Sequence, residues 1–467
     1  MKGVGARPWN LCDRMFKSIR LQNFKSYKDS GEIPLAPLTV LVGLNNSGKS
    51  SILQAILALK QTALDSASVA PNRPAFISTG SYATLNGFYD ILHKPQTEAS
   101  FSISLELDKT EEQSFISGGD RPETRQAWKV PIANKLDVSF CLGAETKEIE
   151  VERSVLTLND EKILEYQRNG HVAWSSDKFP FSTEGAGVFL RGFTPALVAL
   201  PTGTPNPGTG DFFTALQQIS AHSYMWITWL GSRVHRVGAI RTRVPYTTSV
   251  GVRTPPEFGL GGENLLAALA NEERRGPANR TLVDEVNDWL SKTRILNKVH
   301  LKTDKANNVR MLLGDEMRGG PSDINVAGMG EGISQILPII ALAVSVNPRH
   351  CLLIEQPEIH LHPALQADLA DLFISVSGEH DRQVIVETHS EHLVLRIRHR
   401  IASGTLDPQN VRILFVEKSA GESTVRPLDV SDTGEVTNWP DGFFDEAYSE
   451  AMAMVEAAAK RRATSAH

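Results

Sequence analysis

The stretch GLNNSGKS, residues 43–50, decides how this chain is read. It satisfies G-x-x-x-x-G-K-[ST], and both flanks supply the setting that this spacing needs. Upstream, LTVLV has strand character. Downstream, SSILQAILALKQTAL is apolar at Ile52, Leu53, Ile56, Leu57 and Leu59, the stripe of a helix. Strand, glycine-rich loop and helix together form a phosphate cradle. Gly43 and Gly48 allow the loop its tight path, so that backbone N–H groups converge along Asn45, Asn46, Ser47, Gly48 and Ser51. The helix N-terminus adds partial positive charge, Lys49 neutralises β- and γ-phosphate oxygens, and the Ser50 hydroxyl suits Mg²⁺. The cofactors expected are therefore ATP and Mg²⁺.

Three further segments carry polar chemistry at the ends of apolar elements. CLLIEQPEIHLHP, residues 351–363, is an apolar strand that ends in Glu355, placing a carboxylate at the edge where parallel sheets bind ligands. Glu355 is expected in the Mg²⁺ shell. QVIVETHSEHL, residues 383–393, repeats the pattern and ends in Glu387, Thr388 and His389. Glu358, His360, His362, His389 and His392 also suggest a metal centre, but no thiolate joins them and the phosphate cradle already explains acids and histidines at this edge. In NVAGMGEGISQILPII, residues 325–340, Gly330 and Gly332 precede a helix whose N-terminus can receive a phosphate. Taken alone, that spacing is equally a plain helix entry.

Outward from these motifs, strand patterns are expected at 16–24, through 100–166, at CLLIEQ, QVIVET and VRILFVEK, and at TVRPLDV. Helices are expected at FFTALQQI, GENLLAALANEERR, LVDEVNDWLSK, 333–346, 364–376 and about 446–461. Residues 194–211, rich in proline and glycine, read as a linker. The fold class is α/β, with residues 15–100 and 321–467 as the two parts of one ATPase domain and 101–320 as an insertion, β-rich and then helical. Met15 opens the more regular stretch, and residues 1–14 are expected to be a loose extension.

The 467 residues carry 41% hydrophobic and 22% charged side chains, the balance of a globular protein with ample material for a core. A net charge of −6 does not indicate DNA or RNA as the main partner, whose footprint is a basic excess. Cys12, Cys141 and Cys351 are scattered, which suits a reducing compartment. The most apolar run, residues 336–346, is too short to span a membrane and holds Pro338. No apolar signal segment follows the basic start, so a cytoplasmic, membrane-free protein is expected.

In this order the motifs resemble ABC-type ATPases of the SMC, RecF and OLD kind. GLNNSGKS looks like Walker A, LLIEQ like Walker B, GEGISQ like the signature, EIHLHP like the D-loop and His389 like the switch histidine. RLQNFKSY is also typical and implies that Lys25 lies near the nucleotide. The resemblance implies an ABC-type ATPase head, interrupted between Walker A and the signature. It further implies a head-to-tail homodimer, or a higher oligomer, in which Gly330, Gly332, Ser334 and Gln335 of one subunit close on the other's phosphates. Gln356 stands where the class carries its catalytic glutamate, which makes Gln356, Glu358 and His389 the candidate catalytic residues. The signature lacks its L-S-G-G start, and Walker B ends in Glu355 instead of aspartate.

EQPEIHLHP, ETHSEHLVLRIRHRI, AIRTRVPY and WPDGFFDE together look like a narrower group, stand-alone bacterial ATPases of anti-phage defence operons to which the Septu ATPase PtuA is related. This implies a slow ATP-driven switch that dimerises on nucleotide and gates a protein effector, a nuclease or toxin encoded beside it. Two alternatives stand behind it. An OLD-like nuclease would need a metal-binding domain among the 78 residues after His389, where no D-x-D follows VRILFVEK. A RecF- or SMC-like DNA-repair ATPase would suit a less acidic chain with a long heptad run.

Overall fold

A computed structural model describes residues 16–66, 75–94, 100–108, 112–116, 127–131, 133–168, 172–175, 187–199, 210–249, 258–274, 281–293, 298–314, 324–440 and 454. The centre is a six-stranded sheet in the order Val234–Val237, Cys351–Glu355, Gln383–Glu387, Leu38–Val42, Val411–Ser419, Glu422–Leu428. Neighbours run parallel except for the final hairpin. Alternate residues of each strand face two separate cores. Leu41, Leu353, Ile385 and Leu414 join one; Val40, Val42, Leu352, Ile354, Val384, Val386 and Ile413 join the other. Burial on both faces is why these strands read as unbroken apolar runs.

The first core holds the helix Lys49–Ser66, closed in by an eight-stranded antiparallel sheet and by the helix Gly210–Arg233. Burial around most of its circumference takes in polar side chains, and these find partners. Lys60 donates to the Gly231 carbonyl at 2.6 Å, and Gln61 accepts from the Ala83 N–H at 2.9 Å. The second core holds the helices Glu331–Ser345, Pro363–Gly378 and Glu391–Ala402, with Leu265–Arg274, Leu282–Lys292 and a small antiparallel sheet outside them.

Described parts of residues 101–320 thus share sheets with the flanking segments. Phe101–Glu106 pairs with Ser18–Phe24, and Val234–Val237 pairs in parallel with Cys351–Glu355. The linker reading of 194–211 needs correction. Thr194–Ala199 is a strand paired with Gly187–Arg191, and the helix Gly210–Arg233 begins before the expected stretch ends. Pro195 argued against a strand in sequence, but this sheet has only two strands, and proline is tolerated at such an edge. The helix expected at 446–461, apart from Met454, the extension at 1–14 and the residues of WPDGFFDE after Pro440 lie outside the described residues. No described helix is long and apolar enough to cross a membrane.

Candidate active site at the carboxyl edge of the central sheet

The buried strand Leu38–Val42 delivers Gly43 to the sheet's carboxyl edge. Gly43 has φ +143°, and a Cβ there would lie 2.1 Å from the Val416 carbonyl oxygen. Gly48 has φ +109°, and its Cβ would meet the hydroxyls of Ser26 and Ser423 at 2.7 and 2.8 Å. Only glycine fits either position. Neighbouring strands brace the loop between them: Tyr27 donates to the Gly48 carbonyl at 3.1 Å and Ser423 to the Ser47 carbonyl at 2.6 Å. Asn45 and Asn46 are exposed at the crown, Asn46 in the left-handed region, and the Ser51 N–H closes the first turn on the Gly48 carbonyl. Lys49 is buried beneath the loop and donates to the carbonyls of Gly43 and Leu44 at 3.0 and 2.8 Å. Burial lowers its pKa, opposed by the charges of Glu387 and Glu358.

Two carboxylates stand in register at the same edge, Glu355 opposite Glu387, with Glu387 opposite Leu41 of the loop strand. Their environments differ. Glu387 accepts from the Ser50 hydroxyl at 2.8 Å, and its other oxygen is enclosed without a hydrogen-bond partner. Burial pushes its pKa up, while Ser50 and Lys49 pull it back. Glu355, expected in the Mg²⁺ shell, has both of its oxygens held by Arg236, at 2.8 Å each. Glu358 accepts from the Thr388 hydroxyl at 2.7 Å and from the His389 N–H at 2.6 Å, tying the two acidic turns together. Gln356 has φ +42°, a strained value for a residue with a side chain, and its N–H donates to the Glu387 carbonyl at 2.7 Å. The His389 ring is half-buried, and burial together with Lys49 lowers its pKa.

The sequence profile of the AAA ATPase domain family matches residues 15–187 and 265–394. The chain belongs to that family. A second profile, of a protein family of unknown function (DUF3696), matches residues 406–454. No functionally curated protein matches. Similar solved structures include the SMC head domain from Thermotoga maritima, at 14% identity over 89% of this chain and 100% of that one, with a TM-score of 0.39. An SMC head bound to the C-winged helix domain of ScpA has 14% identity over 89% and 98%, TM-score 0.41. An Smc head with an extended coiled coil bound to the C-terminal domain of ScpA, derived from Pyrococcus furiosus, has 12% identity over 95% and 98%, TM-score 0.39.

In this AAA ATPase domain the segment GEGISQ, residues 330–335, is only partly free to meet another molecule. Gly330 is the N-cap of Glu331–Ser345, exposed and with no side-chain cap, and Gly332 is half-exposed. Ser334 and Gln335, expected to reach a partner's phosphates, are buried within their own subunit. Gln335 accepts from Arg241 at 3.1 Å and returns a bond to the Arg241 carbonyl at 3.2 Å. Both belong to the run Ser334–Val344 of this helix that is buried against the core. Lys25 is half-buried with its pKa lowered by burial, and it is the neighbours Ser26 and Tyr27 that touch the loop. The histidine set disperses: His360 faces Glu331, His362 caps the helix Pro363–Gly378, and no group of three or more ligating side chains gathers among the described residues.

Sequence reasoning assigned no role to Glu387, Arg236 or Arg241. Glu387 had a visible signal, since it ends its apolar strand just as Glu355 ends its own. Arg241 lies in AIRTRVPY; it is 4% exposed, and burial holds its pKa down to about 10. Its guanidinium points at the carbonyls of Gln356, Pro357 and Ile359 at 3.4–3.5 Å, joining the signature helix to the turn after Glu355.

Proposed function

We propose that the protein is a slow ATP-driven switch that binds MgATP at Gly43–Ser51, pairs head to tail with a second copy, and gates a protein effector. The observation that supports this best is the braced loop: glycines that admit no Cβ, a buried Lys49 aimed into the loop, and a hydroxyl–carboxylate pair beside it. The donor set fits a magnesium nucleotide, since Mg²⁺ takes few protein ligands and shares phosphates. Ser50 would hold the ion, which when bound neutralises phosphate charge.

Lys49 then exchanges its loop carbonyls for phosphate oxygens, and the loop N–H groups orient the chain of phosphates. Gln356, held at the sheet edge by its own backbone, offers an amide that orients water but takes up no proton. Glu358 positions Thr388 and His389 through its two oxygens, and His389 is the side chain proposed to assist at the reacting phosphate. Turnover well below the roughly 10 s⁻¹ of a median enzyme follows, which favours a long-lived bound state. Gly330 and Gly332, open at a helix N-terminus, are proposed to receive the partner's phosphate. The effector, a nuclease or toxin encoded alongside, and a role in anti-phage defence are supported by the resemblance of EQPEIHLHP, ETHSEHLVLRIRHRI and WPDGFFDE. Sedimentation with and without ATP tests the switch: nucleotide-dependent dimers are expected, and an unchanged monomer would refute it. Purified protein is expected not to cut DNA, so robust Mg²⁺- or Mn²⁺-dependent cleavage would shift the reading to a nuclease.

A further inference from the structure

We infer that Glu387, not Glu355, is the carboxylate that faces the nucleotide's Mg²⁺, and that Arg236 holds Glu355 away from that position. This rests on the nucleotide-binding reading above and names a residue within it. Sheet order carries the first part. The strand ending in Glu387 lies directly beside the loop strand, and the strand ending in Glu355 lies beyond it. With neighbouring strands about 4.8 Å apart, Glu387 stands one spacing from the loop strand and Glu355 two.

Hydrogen bonding carries the second part. One Glu387 oxygen already meets the Ser50 hydroxyl, the loop's own cation-binding group. The other is enclosed with no partner, and a buried carboxylate oxygen left so calls for an explanation that a cation supplies. Glu355 has no such need. Arg236 meets it with a planar fork, and the third guanidinium nitrogen is anchored on the Tyr82 carbonyl at 2.8 Å. Drawing Glu355 towards a metal would leave Arg236 partly buried and unpaired, which is costly.

The test is the affinity of a fluorescent ATP analogue across a Mg²⁺ titration, with an EDTA arm, for wild type, Glu387→Gln and Glu355→Gln. Glu387→Gln is expected to raise the Mg²⁺ midpoint by about 10–100-fold, the usual cost of losing a metal-shell group. Its affinity in EDTA should match wild type, which also shows that the loop is folded. Glu355→Gln should keep the midpoint within about twofold. An unchanged midpoint in Glu387→Gln, or an equal shift in Glu355→Gln, overturns the assignment. Should Glu387→Gln fail to fold, Glu387→Asp replaces it: a smaller shift in the same direction is expected, and none overturns the inference. Wild type that binds no analogue in either arm refutes the proposed function, and this inference with it. Wild type that binds while the two variants behave in reverse refutes the inference alone.

Discussion

Two pairs of glycines serve the proposed site, and the chain constrains them in opposite ways. Gly43 and Gly48 have positive φ, and added Cβ atoms would collide with Val416, Ser26 and Ser423. Gly330 has φ −57°, ordinary for any residue, and its Cβ would meet nothing within 4 Å. Gly332 would make only ordinary contacts, the shortest 3.5 Å from the His360 carbonyl oxygen. The first pair is required by its own fold. Among the described residues nothing requires the second pair to be small. A monomer therefore builds the loop completely, while Gly330 and Gly332 meet no steric demand among the described residues.

The sharpest way to break this contrast is Gly43→Ala. Its backbone conformation alone should cost about 1–3 kcal/mol, and the clash with a backbone oxygen adds to that. Lower thermal stability and loss of nucleotide binding are expected. Calorimetry showing normal binding would mean that the loop yields to a Cβ at Gly43. Lys49→Ala removes the one cation within the loop; a charged hydrogen bond worth about 1.5–3 kcal/mol corresponds to an affinity loss of about 10- to 100-fold. Unaltered MgATP affinity in that variant would exclude Lys49 as a phosphate ligand.

Gln356→Glu sharpens the comparison from the catalytic side. It places a proton acceptor where an amide now sits, and general-base catalysis contributes at least about 100-fold where geometry is right. Single-turnover hydrolysis should rise with binding unchanged; if Glu358→Gln alone abolishes fast wild-type turnover, Gln356 is not the residue in question. Gly330→Ala is the smallest change in the monomer, about 1 kcal/mol or less at an N-cap, where glycine is preferred to alanine. Monomer nucleotide affinity should stay level and stability fall only slightly, while ATP-dependent dimers weaken in sedimentation. Equal dimers would show that Gly330 meets no partner.

Much of the site was legible because its signals are local. A glycine, lysine and serine spacing between a strand and a helix forces one loop path whatever surrounds it, and Gly43, Gly48, Lys49 and Ser50 stand where the pattern put them. The strands Leu38–Val42, Cys351–Glu355 and Gln383–Glu387 were readable because burial on both faces leaves an unbroken apolar run. The burial of Ser334 and Gln335 was not legible, because a helix's phase relative to its core decides which side chains face out, and a signature resemblance carries no phase of its own. Thr194–Ala199 was misread because hairpin pairing with the preceding strand Gly187–Arg191 tolerates its proline at an edge.

The sequence by itself determined a phosphate-binding loop in an α/β chain, the order of its acidic strand ends, and membership texture strong enough to name a class. Only the tertiary structure decided which acid stands beside Ser50. Glu355 and Glu387 end similar strands, and nothing in either segment says which is the loop's neighbour. Sheet order brings Leu41 beside Glu387, residues 346 positions apart, and leaves Glu355 to an arginine from residues 234–237. Such long-range pairing is set by the packing of whole layers, which no local window of sequence contains.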